Sequence, residues 1–161
     1  MISLFTSFNS RDVKDAFDFQ GNDHVTWINI NGINRVEDIE KVVLHYNLHP
    51  LTLEDIVNTG QRPKIEDFDD YLFMVIKMMR YHEEEDRIRN EQLSIILGKT
   101  FLLTFQERPG DVFEPVRERI RKSKGRIRGV GIDYLAYTLI DTIVDNYMHI
   151  TERIGEKIEA I

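Results

Sequence analysis

The sequence predicts an α/β or α+β sandwich that runs into a long C-terminal helix. Three observations carry that expectation. Strand-like and helical periodicities alternate between residues 24 and 60. Three apolar, β-rich runs follow between residues 71 and 105, close enough together to form an antiparallel meander. From about Val130 onward, apolar residues recur at three-and-four spacing. A meander needs at least one covered face, and the flanking helices can supply it. The strand order does not follow from the pattern.

The elements read as follows. His24–Ile30 alternates, is rich in β-formers and ends at the Asn31-Gly32 turn. Arg35–Tyr46 places Val36, Ile39, Val42, Val43 and Tyr46 on one helical face. Pro50 suits the first turn of a second helix, because the N–H it lacks has no helical partner there. Leu51, Leu53, Ile56 and Val57 are expected to face the core, with Gly60 and Pro63 stopping the helix. Glu66, Asp67, Asp69 and Asp70 read as a solvated acidic turn, with Phe68 pointing inward. Tyr71–Tyr81 and Glu91–Leu97 form a hairpin whose charged tip, His82–Asn90, reads as a long mobile loop. Gly98-Lys99 turns the chain into a third strand, Thr100–Phe105, and Val112–Lys122 is a covering helix. Trp27 is expected in the core.

The last helix carries Ile132, Leu135, Leu139, Ile143, Tyr147, Ile150, Ile154, Ile158 and Ile161 on its apolar stripe. At about 1.5 Å per residue it is roughly 48 Å long, well beyond a usual globular helix. No glycine cap or proline closes it before Ile161, so the chain is expected to continue within a larger protein.

Composition bounds the chemistry. With 161 residues the chain is long enough for one domain with a substantial core. Its 42% hydrophobic and 30% charged content is that of a globular protein. No run reaches the roughly 18 apolar residues of a membrane helix, and the N-terminal stretch lacks the basic region of a signal peptide. Zero cysteines exclude disulfides and thiolate metal sites and fit a reducing compartment. A net charge of −7 argues against general nucleic-acid binding and suits cation binding. The basic run Arg117, Arg119, Arg121, Lys122, Lys124, Arg126 and Arg128 has no aromatic interleaving and reads as a solvated helix end paired with neighbouring acids.

The chemistry-bearing residues are hard oxygen donors. Glu54 and Asp55 are neighbours on the second helix, about 100° apart, so they do not easily chelate one ion together. They can serve two ions, or one ion and one structural partner, and they also complement the helix dipole. On the long helix Asp141, Asp145 and His149 repeat every four residues. Their mutual repulsion calls for a compensating cation, either a divalent ion or Arg153. As a bland alternative the stripe is a solvated helix face. Carboxylates suit Mg2+, which keeps most of its waters and needs one or two protein carboxylates; participation by His149 would favour Co2+, Ni2+ or Zn2+.

Several blocks resemble the CorA family of magnesium and divalent-cation transport proteins: TWINING at 26–32, HPLTLEDI at 49–56, QRPK at 61–64, FQERPGDVFEPVRERIR at 105–121 and DYLAYTLIDTIVDNY at 133–147. The resemblance implies the N-terminal domain of such a channel, at the cytoplasmic face of the cell membrane. Its fold would be an α/β/α sandwich (residues 1–128) with a mixed, largely antiparallel sheet. Residues 129–161 would begin the helical extension toward a stalk. Such proteins are homopentamers whose regulatory Mg2+ ions bind between adjacent cytoplasmic domains and hold the channel closed. On that likeness Asp55 matches one metal-binding acid, Glu54 and Asp141 match acids of a second site, and Asp145 is a plausible contributor. The stalk helix that partners Asp55, the membrane helices and the Gly-Met-Asn signature have no counterpart in these residues. The chain by itself is therefore expected not to conduct and to hold only half-sites for metal, with ion sensing expected of the intact protein. Two rival readings are a metal-dependent hydrolase built on Glu54, Asp55 and the 66–70 acids, and an assembly module that uses the long helix and ignores metal.

Overall fold

The computed structural model describes residues 2–8, 17, 25–122, 126–127 and 129–160. His24, Lys124, Arg128 and Ile161, all singled out in the sequence, lie outside them. The described strands are β1 (Ile2–Phe8), β2 (Val25–Asn31), β3 (Lys64–Phe68), β4 (Tyr71–His82), β5 (Arg87–Gly98) and β6 (Phe101–Gln106). The helices are α1 (Val36–His45), α2 (Pro50–Val57), α3 (Glu114–Arg121) and α4 (Ile132–Glu159).

One mixed sheet runs in the order β1-β2-β6-β5-β4-β3. β1, β2 and β6 are mutually parallel, while β6, β5, β4 and β3 alternate antiparallel. The period of two along each strand divides the core into two halves. Trp27, Met74, Ile95 and Leu102 face one way, toward Val116 and Ile120 of α3 and Leu135, Leu139 and Ile143 of α4. Their sequence neighbours Ile28, Val75, Ile96 and Leu103 face the other way, toward Ile39 and Val43 of α1 and Ile56 of α2. Helices cover both faces, giving the α/β/α sandwich expected from the resemblance.

Three expectations are corrected by this topology. First, Lys64–Phe68 is a strand paired to Phe73–Val75 and its neighbours on β4, and only Asp69 and Asp70 form the turn. Asp69 takes φ 46°, in the left-handed region that aspartate tolerates. Second, the tip between β4 and β5 is no long loop: pairing continues to His82 opposite Arg87, leaving a tight turn with Asp86 at φ 49°. Glu85 bridges Arg87 and Arg89, Arg153 reaches Glu83 at 3.0 Å, and Lys157 binds Asp86. These ion pairs hold a charged segment in extended form against α4. Third, Leu51 is 56% exposed, and Thr52 faces inward in its place. The Tyr71 hydroxyl lies 2.8 Å from Thr52 Oγ1 and accepts the His49 N–H at 3.0 Å, which fixes the helix rotation. In addition, β1 lies in a stretch that the sequence left unassigned.

α4 is bolted to the sheet along its middle and held by surface ion pairs over its last described turns. β3 stops pairing at Val75, and beyond it the Lys77 and Met79 carbonyls of β4 accept from Tyr147 Oη and Asn146 Nδ2. That covers an otherwise open sheet edge. Ile150 is buried, whereas Ile158 is 65% exposed, so the stripe outruns the sheet.

Candidate metal centre

α2 begins at His49, whose ring Nδ1 accepts the Leu51 N–H at 3.2 Å, and Pro50 occupies the first turn. Its C-terminal carbonyls, which lack helical partners, are taken by side chains. The Asp55 carbonyl accepts from both Gln61 Nε2 and Gln92 Nε2, the latter at 3.0 Å. Lys77 Nζ donates to Thr59 O at 2.7 Å. Gln92 is buried on β5, so the backbone beneath Asp55 is fixed to the sheet.

Asp55 and Glu54 part company as their helical offset predicts. Glu54 is exposed. Asp55 turns toward β3, where its Oδ2 accepts from Lys64 Nζ at 2.7 Å; their side chains are only 21% and 29% exposed. Lys64 also reaches Glu66 Oε1 at 3.1 Å and lies 5.7 Å from the centre of the Phe73 ring. Burial works against its charge, but hydrogen bonds to Asp55 and Glu66 prevail and raise its pKa above the ordinary lysine value.

Asp141 and Asp145 sit exposed on α4, across the sheet from α2. Asp141 Oδ1 accepts from Tyr137 Oη at 3.5 Å. His149 turns to Glu152, 3.7 Å away, and Arg153 is engaged by Glu83 and the Tyr81 ring, so it does not neutralise the aspartate stripe. Among the described residues no three His, Asp or Glu side chains gather into a metal-binding group within the chain. The structure thus places Glu54 and Asp55 on α2 and Asp141 and Asp145 on α4, on opposite faces of the sheet. This donor set fits a hard cation that retains most of its water and takes one carboxylate from each of two surfaces.

The 105–121 block serves a different purpose. Asp111 is buried after β6 and receives two hydrogen bonds from Arg117, one of them 2.7 Å long, with Gln106 Nε2 at 2.7 Å and the Phe113 N–H at 2.9 Å. Burial pushes the carboxyl pKa up, but these donors outweigh it and hold the pKa below the usual aspartate value. Arg117 also lies over Trp27 at 5.7 Å. It is therefore a core residue, contrary to the solvated reading of the basic run, whereas Arg121 and Lys122 do pair with Glu114 and Glu118 at the surface.

The family described as CorA-like Mg2+ transporter protein matches residues 22–161. The chain belongs to the CorA family. It is 45% identical over 160 residues to the cobalt/magnesium transport protein CorA of Thermotoga maritima, a match that covers 99% of this chain and 46% of that protein. The fold superposes on the complete CorA magnesium transporter of Methanocaldococcus jannaschii with a TM-score of 0.72 at 20% identity, covering 89% of this chain and 44% of that one. The soluble domain of the same archaeal protein gives 0.67 at 21% identity, covering 83% and 52%. The chain thus spans about half the length of these CorA proteins. Among its described residues no helix is long and apolar enough to cross a membrane.

Sequence reasoning missed Lys64, Gln61 and Gln92 as neighbours of the candidate ligand. The QRPK block contains two of them. Recognising residues 64–68 as an edge strand would have placed Lys64 on the α2 face by alternation.

Proposed function

We propose that this chain is the cytoplasmic, ion-sensing portion of a CorA-type magnesium channel and not an enzyme. Asp55 and Glu54 on one face, and Asp141 and Asp145 on the other, hold divalent cations between neighbouring subunits of a homopentamer. Mg2+ is the expected regulatory ion, and Co2+ or Ni2+ can take the same oxygen donors. Residues 1–128 form the sensing sandwich, and residues 129–161 lead toward the stalk and membrane at the cytoplasmic face.

The observation that supports this reading is the separation of the two acidic pairs by one sheet. An ion held at either surface needs its remaining protein oxygens from another chain, so occupancy reports both ion concentration and subunit proximity. Ions bridging carboxylates of adjacent subunits remove a repulsion. Their loss loosens the ring and shifts its population toward the open state by differential binding.

The test is Mg2+-dependent inhibition of transport by full-length protein carrying Asp55→Asn. Inhibition is expected to need more Mg2+ than in the wild type; unchanged inhibition would overturn the role of Asp55. The assembly reading draws on the exposed Tyr137, Met148 and Ile158 of α4. It predicts a molar mass, by light scattering, that is indifferent to Mg2+.

A further inference from the structure

We infer that Lys64 is a built-in competitor of the divalent ion at Asp55 and sets the concentration at which the sensor fills. The inference rests on the reading of Asp55 as an ion ligand. Three observations carry it. The Lys64 ammonium already occupies Asp55 Oδ2 at 2.7 Å, in a place where both side chains are more than two-thirds covered. The aliphatic stem is held on an edge strand and its head lies against the Phe73 ring, so the ammonium is pre-positioned. Glu66, two residues along the same strand, offers a second carboxylate at 3.1 Å.

A cation that takes Asp55 Oδ2 must displace this ammonium, and one that approaches Oδ1 is opposed by its adjacent positive charge. Its apparent affinity is the intrinsic one reduced by the fraction of time that Asp55 is free of Lys64. Glu66 makes the exchange smooth, because the released ammonium keeps an anionic partner and is not left as a buried unpaired charge. The two carboxylates around Lys64 therefore act in opposite senses. Asp55 is the contested ligand, and Glu66 is the alternative home that favours release.

The experiment is a Mg2+ titration of the full-length protein in detergent at 0.15 M salt. It is read as protection from limited proteolysis and, independently, as the Mg2+-induced rise in Tm. Lys64→Gln should lower the half-protecting Mg2+ concentration roughly threefold to tenfold, the scale of a partly buried ion pair. Glu66→Gln should raise it, because Lys64 then has only Asp55. Lys64→Arg keeps the charge and should stay within about twofold of the wild type; if Lys64→Gln fails to fold, it and Glu66→Gln carry the test. Lys99→Gln and Asp70→Asn make the same charge changes at an exposed pair whose lysine side chain is 81% exposed, and both should leave the midpoint in place.

If Asp55→Asn weakens the response while Lys64→Gln leaves the midpoint unmoved, the competitor role is wrong and the metal site stands. If Lys64→Gln shifts it no more than Lys99→Gln, the effect is general charge and the inference fails. If Asp55→Asn leaves the response intact, both readings fall.

Discussion

Arg117 reaches back from α3 to grip Asp111 with two hydrogen bonds, burying a full ion pair between the helix and the loop that leaves β6. Gln106 and the Phe113 N–H complete the carboxylate, so neither charge is left bare. Removing one member should be worse than removing both. Asp111→Asn is expected to cost about 3–5 kcal/mol in urea denaturation, and the Asp111→Leu, Arg117→Met double variant less. A loss below about 1 kcal/mol for the single variant would contradict this account.

The same carboxylate makes stability depend on acid. Its folded pKa lies below the unfolded value, so the unfolded chain binds the proton more readily. Its contribution is fully present above the unfolded aspartate pKa of about 3.9 and is lost as pH falls from there through the folded value. Denaturation midpoints measured through that window should show a steeper acid slope for the wild type than for Asp111→Asn.

Glu91 is expected to behave in the opposite way. Burial raises its pKa, against the Arg108 N–H that it accepts at 3.1 Å and the nearby Arg80. The folded state therefore holds the proton more tightly, and stability falls as pH rises from the unfolded value of about 4.3 through the raised one. Glu91→Gln keeps an oxygen for the Arg108 N–H and removes the buried charge. Its Tm at neutral pH should exceed that of the wild type, and the two should converge in acid.

Gly98 has no room for a side chain. A Cβ there would stand 2.4 Å from the Phe101 ring, at the turn that joins β5 to β6. Gly98→Ala is expected to lose roughly 1–3 kcal/mol through forced repacking. Combining it with Phe101→Leu should recover part of that loss, measured by thermal denaturation of the double variant.

How far the fold was legible depended on how many readings one residue pattern allowed. His24–Ile30 read as an alternating strand with Trp27 in the core, and its residues 26–30 are in fact buried on both faces. Pro50 marked the start of α2 to the residue, because its ring permits few other helical positions. The facing of α2 was harder: Leu51 looked apolar and inward, but the Tyr71 hydroxyl binds Thr52, and that polar tie is invisible until β4 is in place. The burial of residues 64–68 alternates, but the apolar Ile65 is on the exposed side and four acids in seven residues masked the strand. At the candidate site the acids themselves were readable, whereas Lys64 and Gln92 lie 9 and 37 positions from Asp55 and meet it only through the sheet.

The last turns of α4, held by surface ion pairs, have a mechanical consequence. Tyr147 and Asn146 pin the helix to β4, and from Tyr147 to Glu159 it projects about 18 Å at roughly 1.5 Å per residue. Such an arm has a fulcrum: one degree of swing at the pin moves the far end by about 0.3 Å. Arg153 and Lys157 tether that arm to the β4–β5 turn, so a force on its tip is first borne by surface ion pairs and only then by the core.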